Sequence, residues 1–317
     1  MSYPAPILSL DFVNGGWHPA LAFSRASTGT LFDKSGILRA ARAGVPRRDH
    51  DPLTGICKGL FPEDQRTNHL LNSGTPATQT VSLAAGTYTL WVVGSGSCAL
   101  SGGPAGTATA GAPVTFTLGG TTSVTFTVSG SLTRFQCEPG SFPTSYISTA
   151  GTAVTRSADV CTVALSSLLG PHGEQLWNGT EGTLLVRGSV PYIPASGSVS
   201  FATLDDGTGN NNVRLRLLST GVDGAVIVGG TWVFDPVDHS YIAGEQVALA
   251  VAFQANDFAF SRNGASPATG SSGAVPTVTK LSIGSTAGLG NWLNGHIRQV
   301  TLFNRRLSNA TLQALTA

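Results

Sequence analysis

Residues 88–93 (YTLWVV), 114–118 (VTFTL), 124–128 (VTFTV) and 132–137 (LTRFQC) set apolar side chains at alternate positions, with threonine or another polar residue between them. That period constrains the chain more than any other feature. Successive side chains of a strand point to opposite faces, so these segments suit antiparallel strands with one face on a core and the other in water. The pieces between them, Ser101-Gly102-Gly103-Pro104 and Gly119-Gly120, read as turns.

Similar segments recur further on, at 183–188 (TLLVRG), 199–204 (VSFATL), 212–217 (NVRLRL), 247–253 (VALAVAF) and 258–264 (FAFSRNG), and their spacing predicts a second, larger sandwich. Forty glycines, 17 prolines and a single methionine, Met1, agree with short strands and tight turns. The fold class is all-β. Charge divides the chain of 317 residues into three parts. Residues 1–72 hold eight Lys/Arg and six Asp/Glu, residues 73–148 hold only Arg134 and Glu138, and residues 149–317 hold nine basic and ten acidic residues. Shifts of this kind mark domain borders, so we expect an N-terminal anchoring segment (1–72), a small β-sandwich (73–148) and a larger jelly roll (149–317). In the first part, Asp33-Lys34-Ser35-Gly36 and Asp51-Pro52-Leu53-Thr54-Gly55 are turn signatures. The apolar pieces between them are too short for a core of their own, so this part is expected to gain order by packing on the same chain or on a symmetry mate.

Charged residues make up 11% of the chain and the net charge is +1, which argues against nucleic acid as a partner, since neutralising phosphates needs a basic stripe. The densest basic patch, Arg39, Arg42, Arg47 and Arg48, is interleaved with Asp49 and Asp51. Cys57, Cys98, Cys137 and Cys161 lack metal or redox spacing and are expected as free thiols, with a Cys98–Cys137 bridge reserved for an oxidising compartment. No signal peptide is read in MSYPAPILSLDF, and no run approaches the about 18 apolar residues of a membrane span.

No G-x-S-x-G elbow, H-E-x-x-H, Walker A loop or G-x-G-x-x-G occurs. Glycosidases of the jelly-roll class set two carboxylates at alternate positions of one strand. Here the five Glu, at 63, 138, 174, 181 and 245, have no acidic partner two residues away on a strand. The expectation is a protein without an enzymatic role. Asp49-His50-Asp51 reads as turn capping, and His18, His69, His172, His239 and His296 as packing or surface residues. The most site-like loop is Asp205-Asp206-Gly207-Thr208-Gly209-Asn210-Asn211-Asn212. It suits a hairpin turn, a calcium site built on Asp205 and Asp206, or a sugar contact through Asp205, Asp206, Asn210 and Asn211. Sugar sites also need an aromatic face, for which Trp232, Tyr241 and Trp292 are candidates; Trp91, on a strand, is expected in the core.

Two strings carry a resemblance. Residues 23–73 contain FSRAST, an R-x-DHDP-x-TG turn and EDQRTN-x-LLNS, and residues 136–147 read QCEPGSFPTSYI before the turn Thr155-Arg156-Ser157-Ala158-Asp159. Over about residues 20–160 this resembles phage virion adhesins, in which such a segment precedes carbohydrate-binding β-domains of head spikes and tail fibres. The end of the chain, an L-x-I-G strand at 281–284, a strand running through His296-Ile297-Arg298-Gln299-Val300 and an R-x-L-S turn at 305–308, resembles the closing strands of laminin-G or concanavalin-A-like jelly rolls. Ser308 reads as the N-cap of a short final helix, stapled by Leu307 and Leu312. The resemblance implies a virion protein, made in the host cytoplasm and exposed on the particle. It would attach to bacterial surface polysaccharide, join other virion proteins through its N-terminal segment and form a homo-oligomer, for which a trimer is a candidate. A decoration protein without glycan binding and a polysaccharide depolymerase are the alternatives.

Overall fold

The computed structural model describes residues 4–286 and 290–317. It is built almost wholly of antiparallel strands, with one α-helix, Asn309–Thr316, among the described residues. Two sheets, each of eight described strands, stack face to face. In the first, Ala268–Gly270, Asp257–Arg262, Val247–Gln254, Glu181–Ser189 and His296–Phe303 follow one another, and His296–Phe303 also pairs with Leu8–Asp11 and Cys57–Leu60. In the second, Thr231–Phe234, Gly221–Val228, Asn212–Leu218, Ser198–Asp205, Lys280–Ile283 and Val160–Ala164 are followed by Leu21–Ser24. The alternation places Val213, Leu215, Leu217, Leu204 and Leu281 inward against Leu184, Val186, Leu249, Val251 and Val300 in one core. Outside the first sheet, the helix covers a small second layer of Leu185, Ala250, Ala252, Ala259 and Phe303 through Leu307 and Leu312. Ser308 caps it, its Oγ accepting from the Thr311 amide at 3.2 Å.

The N-terminal part is woven into this sandwich. Leu8–Asp11, Leu21–Ser24, Arg48–His50 and Cys57–Leu60 all pair within its two sheets, so the expected packing on a neighbour is satisfied by the same chain. Strands of three or four residues expose too much unpaired backbone to stand alone, and an existing sheet edge supplies the missing partners. A separate hairpin, Gly29–Phe32 with Leu38–Ala41, projects from it.

The small β-unit is the expected antiparallel sandwich, with both layers made from one continuous sheet. It is a single five-stranded sheet built on two long strands, Gly86–Ser101 and Thr122–Pro139, which pair along almost their whole length. Tyr88, Leu90 and Val92 from one half, and Cys98 and Leu100 from the other, lie on one face and share one core with Phe116, Phe126 and Phe135. The sheet therefore folds over on itself between residues 92 and 98. Gly94 and Gly96 permit the bend: a Cβ at Gly94 (φ +126°) would stand 2.4 Å from the Ser131 carbonyl oxygen, and one at Gly96 2.3 Å from that of Ser129. All four cysteines are free thiols, and Cys98 and Cys137 lie buried in this core.

The two motif strings converge on one place, a buried polar node where the N-terminal part, the small sheet and the sandwich meet. Arg47 and Arg156 are its largest side chains, each fully buried. Arg47 donates to Glu63 at 2.6 Å and to Asp159, Arg25 donates to the other oxygen of Asp159 at 2.8 Å, and Arg156 stands 3.0 Å from Glu63. Ser145, from the string that closes the small sheet, donates its amide to Glu63 at 2.7 Å and its hydroxyl to the second oxygen at 2.5 Å. Burial opposes the charge on Glu63. The guanidiniums of Arg156 and Arg47 and the bonds from Ser145 outweigh it and hold its pKa at about 2. Residues far apart in the chain thus satisfy each other's buried charges, as such charges require.

Candidate functional site

Ser145, bonded to Glu63 of the node, also lines a groove of about 400 Å³. The projecting hairpin gives Phe32 and Leu38, the small sheet gives Trp91, Val93 and Arg134, its closing loop gives Tyr146, and the sandwich gives Phe61 and His296. The alternation that buries Leu90 and Val92 turns Trp91 to the opposite face, so Trp91 is a groove wall and not the core residue expected from its place on a strand. Its indole is braced: Nε1 donates to Glu138 at 2.9 Å, and the ring stands edge-on to Tyr146 with centroids 6.2 Å apart. Burial raises the pKa of Glu138, while Thr144 bonds its carboxylate through both amide and hydroxyl.

Opposite, His296 stacks on Phe61 with ring centroids 4.5 Å apart and bonds Asp49 through Nε2 at 2.9 Å. Asp49 also accepts from the Phe32 amide at 2.7 Å, which ties the hairpin to the sandwich. The triplet 49–51 therefore divides. Asp51 caps its own turn through Leu53 and Thr54, His50 bonds the Phe32 carbonyl, and Asp49 faces the groove. Lys58 and Arg134 add positive charge to the lining, Thr30, Thr144 and Ser145 add hydroxyls, and Asp49 is the one carboxylate there among the described residues. Rigid aromatic faces beside a few polar groups suit a sugar ring, which offers C–H surface to the former and hydroxyls to the latter.

A second groove, of about 350 Å³, runs on the other side of the closing loop past Phe142, Tyr192 and Trp292. Phe142 and Tyr192 stack with centroids 3.7 Å apart, and the Arg66 guanidinium lies 4.8 Å from the Phe142 ring. Trp292, expected from sequence as a sugar-binding aromatic, lines this groove and anchors its indole Nε1 on the Asp159 carbonyl at 2.9 Å.

The remaining sequence candidates do not gather at either groove. Tyr241 is buried and its hydroxyl bonds both the amide and the carbonyl of Val190, which leaves no face for a ligand. Asp205 is buried, bonding Ser282 at 2.7 Å and the Gly207 amide at 2.8 Å. Asp206 caps Thr208 and accepts from Asn211, whose own oxygen accepts from the Gly229 amide, while the Asn210 carbonyl accepts from Gly230. The loop thus spends its side chains on its own turn and on the neighbouring hairpin. Among the described residues no group of three His, Cys, Asp or Glu is placed to hold a metal ion. Trp232 is exposed, on the outer face of the second sheet.

Trp91, Asp49 and His296, like Phe61, Tyr146, Lys58 and Arg134, are groove residues that the sequence does not single out as site candidates. The odd-numbered place of Trp91 in an even-numbered apolar row was a usable signal. The meeting of Asp49 with His296, 247 residues apart, left none.

No family model matches the chain, and no curated protein does. Among solved structures, the CBM40 of the Ruminococcus gnavus IT-sialidase is similar at 17% identity and a TM-score of 0.40, over 50% of this chain and 93% of that one. The same module bound to α2,6-sialyllactose gives 19% and 0.39 over 49% and 91%. The Trypanosoma rangeli sialidase gives 13% and 0.38, over 49% of this chain and only 25% of its own length. At such scores the reading of function rests on the geometry of this chain and not on these neighbours.

Proposed function

We propose that the protein is a virion attachment protein that holds bacterial surface glycan without turning it over. The observation that carries glycan binding is the groove walled by Trp91, Tyr146 and Phe61, with Asp49, Lys58 and Arg134 at its rim. Each part of the molecule supplies one wall, and the buried node fixes the walls against each other, so binding costs little ordering. Glycoside hydrolysis by two carboxylates needs a second acidic group about 5–9 Å from the first. Asp49 stands alone in this groove and Asp64 in the other among the described residues, which supports a non-catalytic reading.

The virion role rests on the two strings in the sequence. The N-terminal part is the proposed contact with other virion proteins. Trp17, Ile37, Val45, Leu53 and Ile56, five of the nine exposed large apolar side chains among the described residues, lie there. These side chains offer apolar surface that a partner can cover. Association of several copies, three in the trimer proposed, would multiply weak single-site binding into firm attachment. The test is binding of the full chain to purified surface polysaccharides of candidate hosts, beside a Trp91→Ala variant. Binding weakened tenfold or more in the variant supports the proposal, and equal binding by both proteins removes the groove from it.

A further inference from the structure

The outer face of the second sheet carries a cation that makes no hydrogen bond and no close ion pair among the described residues, although Asp223 and Asp235 are near enough to attract it. Arg214, on Asn212–Leu218, is 8% exposed; its Nε is buried without a partner, as are those of Arg47, Arg48, Arg156, Arg262 and Arg306, but unlike those five it makes no hydrogen bond through the rest of its guanidinium among the described residues. Its neighbour Arg216, two residues on and on the same face, is paired, with Asp223 held by Nε and Nη2 and Asp235 3.1 Å from Nη2. The indole of Trp232 lies across both guanidiniums, each 4.7 Å from the ring centroid, yet keeps 46% of its surface in solvent. Two further buried polar atoms without partners, Thr203 Oγ1 and Asn212 Oδ1, belong to the same patch: Thr203 is the cross-strand partner of Arg214, and Asn212 precedes it by two on the same strand. Burial and the adjacent Arg216 lower the Arg214 pKa to about 10 against the opposing pull of Asp223 and Asp235, which leaves it charged at neutral pH.

A buried donor left unsatisfied is costly, and native structures seldom keep one without a use. A planar guanidinium fork matches a carboxylate in two parallel bonds, and an exposed indole offers the stacking face a pyranose ring needs. We propose that Arg214 and Trp232 form a second glycan subsite, selective for sugars that carry a carboxylate, such as the uronates of acidic polysaccharides. The subsite is a flat platform on a sheet, open to an extended chain. It rests on the glycan-attachment reading but lies apart from the Trp91 groove.

The test measures binding of the full chain to polygalacturonate, to dextran and to polyphosphate, with Arg214→Gln, Arg214→Lys and Trp232→Ala beside wild type. The expected result is binding of polygalacturonate over polyphosphate, weakened at least tenfold by Arg214→Gln and by Trp232→Ala, and partly restored by Arg214→Lys. Because Arg214 makes no hydrogen bond, Arg214→Gln should keep the wild-type thermal midpoint within a few degrees; if it does not fold, the lysine and Trp232 variants carry the comparison. No polygalacturonate binding, equal or stronger binding of polyphosphate, or polygalacturonate binding indifferent to these variants would overturn the subsite. Dextran or host glycan binding that depends on Trp91 alone would leave the attachment reading standing and remove this one.

Discussion

Replacing Glu63 with glutamine removes one charge from the buried node while keeping the shape of the side chain. In the folded protein Glu63 titrates near a pKa of about 2, against an ordinary 4.5. A folded-state pKa below the unfolded one means that the ionised group stabilises the fold. That contribution is complete above the unfolded value and is lost as pH falls from about 4.5 towards 2. At 1.36 kcal/mol per pKa unit the shift corresponds to about 3 kcal/mol at neutral pH, falling to about 1 kcal/mol at pH 3. Breaking a buried ion pair by removing one partner costs a similar ~3–5 kcal/mol, here because Arg47 and Arg156 lose a shared counter-ion. Urea unfolding of wild type and Glu63→Gln, at pH 7 and again at pH 3, isolates the effect, since other acid-titrating groups cancel in the difference. The expected gap is about 3 kcal/mol at pH 7, shrinking by more than half at pH 3. A gap below about 1 kcal/mol at pH 7, or one that does not shrink on acidification, would refute the claim that the ionised node holds the parts together.

Gly94→Val should destabilise the small sheet by about 2–4 kcal/mol, because φ +126° and the 2.4 Å approach to the Ser131 carbonyl both oppose a side chain; chemical denaturation reads the loss. Ser308→Ala removes the cap of the final helix and should cost about 1 kcal/mol in the same assay. Thiol titration with a colorimetric disulfide reagent at pH 8 should find Cys57 in the native protein and all four cysteines in denaturant. Burial raises the thiol pKa of Cys98 to about 11 and pushes those of Cys137 and Cys161 up as well.

The strands were legible wherever one face meets a core and the other meets water, as at 114–118 and 124–128, because the period of two then appears directly in residue type. The closing helix was legible too, through Ser308 and its flanking leucines. What stayed hidden was partnership. Leu8–Asp11 and Leu21–Ser24 are too short to announce themselves, and their partners lie more than 130 residues away. The fold-over of the small sheet depends on Gly94 and Gly96 lying inside a strand, where glycine reads equally well as a turn. The charged strings were visible as strings, but that Arg25, Arg47, Glu63, Arg156 and Asp159 satisfy one another is a fact of tertiary structure. At the site, Trp292 and Trp232 were legible as candidate aromatics. The loop at 205–212 is ambiguous in sequence because the residues that build a tight turn are also those that contact sugars. Trp91 was misplaced because being on a strand was allowed to outweigh which face of the strand it occupies.

The most direct measurement is size-exclusion chromatography of fluorescently labelled host polysaccharide after overnight incubation with the full chain. Glycan attachment without turnover predicts that the label elutes earlier with the protein and returns to its original position once the protein is digested away. Label that elutes at its starting position in the presence of protein would contradict binding, and label that elutes later, as shortened chains, would contradict the absence of cleavage.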